Sequence, residues 1–282
     1  MAIGFLSGRW QEVSAPMRLD LIATSPYWRV ELKDEVASTQ LEFGDHPPTS
    51  DAGRVVVAEY QSAGRGRLDR SFVSAKSKGL TFSFLLAPSR QESEWSWLPL
   101  LVGAATVDAI NETAASRFGG AENLTGKFYS KWPNDILASN GKKLGGILLE
   151  RRGGTVIVGI GINVLHDEAS MPLPHATSLL REMGIGFSRE ELLTKILQSI
   201  EKSFLIWQKV GTNQAEINHY CASSSTLGNE VEIELPSGEK ILGVAQSIRE
   251  DGALLLCESK TGEMRVISAG DLVHARGNTQ IR

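Results

Sequence analysis

The chain has 282 residues, 41% hydrophobic and 22% charged, the balance of an ordinary globular protein with room for one large domain and one small one. Its net charge of −4 argues against broad nucleic-acid binding. The two cysteines, Cys221 and Cys257, lie far apart without histidine at ligand spacing, which argues against a disulfide framework or zinc site and for a reducing cytosol.

Gly8, Arg9, Gln11 and Glu12 interrupt the apolar start, and no run approaches the ~18 apolar residues of a membrane-spanning helix. The expectation is a cytoplasmic protein without a signal peptide or a membrane partner. Residues 1–25 show no periodicity and read as an N-terminal arm. A strand is predicted over 28–36, and Ser38-Thr39 offers side chains suited to capping a short helix. Residues 54–60 (RVVVAEY) and 80–87 (LTFSFLLA) read as buried strands, separated by a long polar stretch containing glycine and arginine.

Over 95–117, apolar residues at Leu98, Leu101, Val102, Ala105, Ala109 and Ile110 predict an amphipathic helix. Segments 127–132, 136–138, 144–151 and 155–164 then read as strands, punctuated by Asn134-Asp135 and Asn140-Gly141. They follow one another too closely for parallel crossovers. A second helix is predicted from Ser188, with Glu191 completing a capping box and Leu192, Leu193, Ile196, Leu197 and Ile200 as its apolar face. After Cys221, short strands at 231–235, 241–248, 253–257 and 264–267 predict a small all-β barrel.

Two stretches carry chemistry. Gln61-Ser-Ala-Gly64-Arg65-Gly66-Arg67 follows a strand directly. Its glycines permit close backbone approach to a ligand, and its arginines offer forked donors to phosphate or carboxylate. It is no dinucleotide fingerprint, since Asp69 stands where the third glycine belongs, and a solvated turn can have the same composition. The second stretch is Lys131-Trp-Pro-Asn134-Asp135 with Lys142-Lys143-Leu-Gly145-Gly146-Ile147. Paired glycines inside a strand suggest that something else approaches there, and a neighbouring lysine can meet an anion. Asn-Asp alone would be a turn former.

In this order, these motifs make the chain resemble the biotin protein ligase family along almost its whole length. The resemblance adds Ser38-Thr39, Ala58-Glu-Tyr-Gln61, Gly159-Ile-Gly-Ile-Asn163-Val and, at the end, Ser268-Ala-Gly-Asp-Leu-Val-His274. It implies an α+β fold: a catalytic core similar to class II aminoacyl-tRNA synthetases, with a mixed, largely antiparallel sheet, over residues 1–225. A small SH3-like β-barrel over 226–282 would follow.

The implied chemistry forms biotinyl-5′-AMP from biotin and ATP with Mg²⁺, then transfers biotin to a lysine of a biotin carboxyl carrier protein or domain. By the same resemblance, Arg65, Gly66, Arg67 and Lys143 meet the carboxylate and phosphate. Ser38, Thr39 and Gln61 bond the ureido ring, and Gly146 and Ile147 form an edge and wall beside biotin. Lys131, Asn134, Asp135 and Asn163 serve ATP, with Asp135 toward the metal. Two positions depart from the pattern: Gln40, where the family often has Asn, and Gly145, where Ala is usual.

A lipoate or octanoyl ligase or transferase is the nearest alternative. A biotin-responsive DNA-binding repressor is another, disfavoured because the arm before the core leaves no room for a domain of ~60 residues. No DNA partner is therefore expected, and the oligomeric state stays open.

Overall fold

The computed structural model describes residues 15–67, 70–117 and 128–274. The first part of the expected arm, Lys127, Asp69 and the C-terminal residues 275–282 lie outside them.

Seven strands form one sheet: β1 (Arg29–Val36), β2 (Arg54–Gln61), β3 (Gly79–Leu86), β4 (Phe128–Lys131), β5 (Asp135–Ala138), β6 (Lys143–Arg152) and β7 (Thr155–Asn163), in the order β1-β2-β3-β7-β6-β5-β4. Only β1 and β2 run parallel; the other pairs are antiparallel, and among them only β4-β5, β5-β6 and β6-β7 are joined by short connections. Leu80, Phe82 and Phe84 of β3 and Val156, Val158, Ile160 and Ile162 of β7 join the main core on one face of the sheet. The opposite face carries a separate small cluster of Phe43, Val56, Leu85 and Ile157.

Helix α1 spans Leu98–Arg117 and lies between the sheet and a second long helix. It is therefore buried around most of its circumference, Gly103, Thr106 and Val107 included, rather than along one stripe as the spacing predicted. Its start is also later than expected, because residues Glu92–Trp97 form a 3₁₀ turn. After the short α2 (Leu179–Met183), α3 (Arg189–Val210) begins at Ser188, whose Oγ accepts from the Glu191 N–H. The predicted capping box is half made: the Glu191 carboxylate pairs with Arg117 instead. Helix α4 (Gln214–Ala222) was not predicted, although Asn213 caps it through the N–H groups of Ala215 and Glu216. Residues 15–25 run along α3, with Ser25 Oγ 2.6 Å from Glu201 Oε2.

The C-terminal sheet has five antiparallel strands, not four: β8 (Glu230–Glu234), β9 (Lys240–Ile248), β10 (Leu254–Glu258), β11 (Met264–Ile267) and β12 (Asp271–His274), in the order β11-β10-β9-β8-β12. The fifth strand, Asp271–His274, was not predicted from the pattern of the sequence. This sheet shares the main core and is pinned to the larger one. Trp132 donates through Nε1 to the Gly252 carbonyl at 3.0 Å and through its backbone N–H to Thr226 Oγ1 at 3.0 Å. Cys221 and Cys257 are free thiols. No helix among the described residues is long and apolar enough to cross a membrane.

Candidate functional site

On the sheet face away from the helices, Thr81 of β3, Gly161 of β7, Gly146 of β6, Asp135 of β5 and Lys131 of β4 stand side by side in register. Ser83, Gly159 and Leu148 form the neighbouring row. Side chains directly opposite one another in paired strands share a face, so Gly146 of β6 with Gly159 and Gly161 of β7 leaves a bare strip of backbone across two adjoining strands. The strip floors a cavity of about 90 Å³ lined by the Arg65–Gly66 turn, Phe72, Thr39 and Lys143 among others.

The side of the cavity toward β2 and β3 is polar and uncharged. Gln61 Oε1 accepts from the Thr39 N–H at 2.7 Å and from Thr39 Oγ1 at 3.1 Å, and the hydroxyls of Thr39 and Ser83 lie 2.7 Å apart. Ser38 and Thr39 are buried here. The following 3₁₀ turn, Leu41–Phe43, has Gln40 as its N-cap and no side-chain cap, so the predicted capping role for Ser38-Thr39 is not what these hydroxyls do. Gln40 donates to the Leu148 carbonyl at 3.3 Å, while its Oε1 is buried without a partner.

Toward β5 and β6 the cavity is charged. The Lys143 ammonium lies 2.5 Å from Asp135 Oδ1, and Lys131 lies 3.6 Å from Asp135 Oδ2. Burial pushes the Lys131 amine below its ordinary pKa, only partly offset by Asp135. Arg65 pairs with Glu150 of β6 at 3.0 Å. Arg67 Nη1 donates to Asn134 Oδ1 at 3.0 Å, and Asn134 in turn donates to the Ile147 carbonyl at 2.8 Å. Burial also lowers the Arg67 pKa, with no loss of charge at any ordinary pH. Lys131, Asn134, Asp135 and Lys143 further line an adjoining cavity of about 730 Å³ with Arg67 and Glu232, so the small sheet forms part of its wall.

Asn163 stands apart from the other expected residues. It is 4% exposed, donates to the Thr177 carbonyl at 3.0 Å, and leaves Oδ1 buried and unpartnered, outside both cavity linings. Both Asp135 oxygens already face ammonium groups, and among the described residues no three His, Cys, Asp or Glu converge as a metal cage. This donor set suits phosphate oxygens better than a bare divalent cation.

Sequence reasoning missed Phe72, Thr81 and Ser83. A Cβ on Gly161 would lie 2.4 Å from Phe72 Cζ, so the ring packs directly on the bare strand. Thr81 and Ser83 had a readable signal: polar residues alternating with Leu80, Phe82 and Phe84 in a strand buried on both faces. A third cavity, about 510 Å³, lies among α1, α3 and α4 and contains none of the motif residues.

The chain matches the biotin/lipoate A/B protein ligase family over residues 35–167 and the biotin protein ligase C-terminal domain over residues 226–274. A biotin–[acetyl-CoA-carboxylase] ligase of Mycobacterium tuberculosis is 35% identical over 226 residues, which are 79% of this chain and 80% of that protein. The chain belongs to the biotin protein ligase family. Among other biotin protein ligase relatives, a bifunctional ligase/repressor of Bacillus subtilis is 32% identical over 77% of this chain and 65% of its own length. A solved structure of biotin protein ligase from Aquifex aeolicus in complex with biotin and ATP superposes with a TM-score of 0.72 at 30% identity, over 87% of this chain and 99% of that one. As a biotin protein ligase, the molecule is an enzyme with the α+β fold that the motifs implied.

Proposed function

We propose that this ligase joins biotin to ATP as biotinyl-5′-AMP and passes the biotinyl group to a lysine of a biotin carboxyl carrier protein or carrier domain of a carboxylase. The observation that carries the reading is the charge asymmetry of the glycine-floored cavity. Uncharged hydrogen-bonding groups on β3, with Gln61 of β2 one strand further out, face Lys143 two strands away on β6, a separation of roughly 10 Å from β3. Biotin has that polarity, with a neutral ureido ring at one end and a carboxylate at the other.

Ser38, Thr39 and Gln61 suit the ring, whose buried polar atoms need partners. Gly146 and Ile147 give the acyl chain a backbone edge and an apolar wall. Arg65, the Gly66 backbone, Arg67 and Lys143 offset the repulsion between carboxylate and α-phosphate, which is the electrostatic demand of the first step. Lys131, Asn134 and Asp135, lining the adjoining cavity, suit the nucleotide, and Asn163 acts at most by fixing β7 through Thr177. No protein nucleophile is required, because orientation and charge suffice. Mg²⁺ would come with the triphosphate, and Asp135 would be a carboxylate able to hold it once Lys131 and Lys143 turn to the phosphates. Residues 226–274 serve as a small β-domain, packed on the shared core, that walls the nucleotide cavity and holds Trp132.

The test is a mass-shift assay on a biotin carrier domain with MgATP and either biotin, lipoate or octanoate. Biotin-dependent modification of one lysine is expected. A shift with lipoate or octanoate and none with biotin would overturn the reading.

A further inference from the structure

The ligand loop between β2 and β3 is closed by a buried ion pair, Glu59 and Arg189, to which the motifs assign no role, although Glu59 lies within the Ala58–Gln61 stretch. Arg189, the first residue of α3, is 1% exposed. A cation at a helix N-terminus opposes the helix dipole, and a guanidinium out of water needs full hydrogen bonding to be tolerated. Arg189 finds it in three separate chain segments. Nη1 donates to Glu59 Oε2 at 2.8 Å and to the Gly79 carbonyl at 3.3 Å, and Nη2 to the Ala15 carbonyl at 2.7 Å and to Glu59 Oε1 at 3.3 Å.

Glu59 completes the junction. Its Oε2 also accepts from Ser77 Oγ at 2.7 Å, its Oε1 from the Met17 N–H, and its backbone carbonyl from the Ser77 N–H at 3.1 Å. Ser77 has φ 60°, the sole non-glycine residue in the left-handed region among the described residues. Such a conformation persists where its surroundings over-determine it, and here Glu59 grips both its N–H and its hydroxyl. Glu59 stands two residues before Gln61 in the loop's first stem; Ser77 and Gly79 are its second stem. One ion pair thus fixes both stems of the segment that carries Arg65, Gly66, Arg67 and Phe72 over the glycine strip.

We propose that Glu59 and Arg189 are positioning residues: they hold the two stems of this loop in register so that its arginines and Phe72 stay over the acyl-adenylate. The inference rests on the proposed biotin-ligase reading for its ligand, but not for its geometry.

The test compares full-length wild type with the Glu59→Gln/Arg189→Met double variant, which removes both charges and so leaves neither buried alone, and with Ser77→Ala, which removes one tether. Hydrogen exchange is followed across residues 62–78, with β7 as the internal reference, and release of biotinyl-AMP is followed after its formation from biotin and MgATP. At least tenfold faster exchange in 62–78, unchanged exchange in β7 and at least tenfold faster release are expected of the double variant, with smaller changes of the same sign for Ser77→Ala. A purely structural pair would leave release unchanged once β7 protection is retained. Wild-type exchange and release in a folded variant overturn the proposal. If the double variant does not fold, Ser77→Ala decides by the same two readouts. If wild type makes no biotinyl-AMP, the ligase reading fails, while the exchange comparison still judges the clamp.

Discussion

The Lys143 ammonium hangs over the bare backbone of Gly146, 2.5 Å from Asp135 Oδ1, so the same lysine that faces the glycine strip is held in place by the first residue of β5. A cation in this position can exchange its carboxylate partner for an incoming anion with little movement. Lys143→Ala is expected to cut biotin-dependent pyrophosphate release at least tenfold, which corresponds to ~1.4 kcal/mol in the barrier. Wild-type turnover would remove Lys143 from the first step.

Gly161 sets how close Phe72 comes to the sheet. Gly161→Ala would drive its Cβ into the Phe72 ring, so the ring and its loop must shift. The cavity beneath, about 90 Å³, is well below the roughly 300–1,000 Å³ usual for small-molecule sites, so the fit of a ligand depends on where the Phe72 ring stands. In wild type, exchange across residues 70–78 should slow when biotin and ATP are added. In Gly161→Ala, calorimetry should show biotin affinity at least tenfold weaker with the melting temperature little changed. Equal affinity would mean that Phe72 is not part of the binding wall.

Arg67 is fastened to Asn134, which is itself bonded to Ile147 at both backbone and side chain. Arg67→Gly deletes the side chain that spans from the loop to the turn before β5 and adds backbone freedom. The variant should still form biotinyl-AMP but release it into solution, labelling exposed lysines of bystander proteins. Adenylate retention equal to wild type would refute this role.

His166 is fully buried, with Nε2 3.2 Å from Ser74 Oγ and Nδ1 unpartnered. Burial first, and then the nearby Lys78 charge, push its pKa down from 6.5 to about 4. The folded state therefore keeps the imidazole neutral where the unfolded chain already binds a proton. Its contribution to stability is present above pH 6.5, is lost as pH falls from 6.5 to about 4, and is constant below that, a change of about 3 kcal/mol. Urea unfolding from pH 7 to pH 4 should show a shallower acid loss in His166→Gln than in wild type. Parallel profiles would contradict it.

Trp132 links the two sheets through the Nε1–Gly252 bond in the shared core. Trp132→Phe leaves the Gly252 carbonyl without that donor, which should cost about 1–3 kcal/mol in denaturant unfolding. The transition should remain single, since one apolar cluster runs through both sheets. Two separate transitions would show that the small sheet unfolds on its own.

The strands, the long helices and the loop arginines were legible because each is encoded locally: β-branched runs, i, i+3, i+4 spacing, and a glycine-arginine turn after a strand. The residues of the site proper were legible only in part. Lys143, Asp135 and Gly146 could be named from a hairpin motif, but no spacing announces that Thr81, Gly161, Gly146 and Asp135 stand in one row, because strand register across four strands is fixed by pairing at long range. Likewise, α1 looked amphipathic because its sequence cannot reveal a second layer, α3, covering its outer side. The Glu59–Arg189 pair joins residues 130 positions apart, and its partners at Ala15, Ser77 and Gly79 come from two further stretches of chain. Periodicity and turn chemistry carry what a dozen neighbouring residues decide by themselves. Burial of a charge, and the partners that make it tolerable, exist only after the chain has folded back on itself.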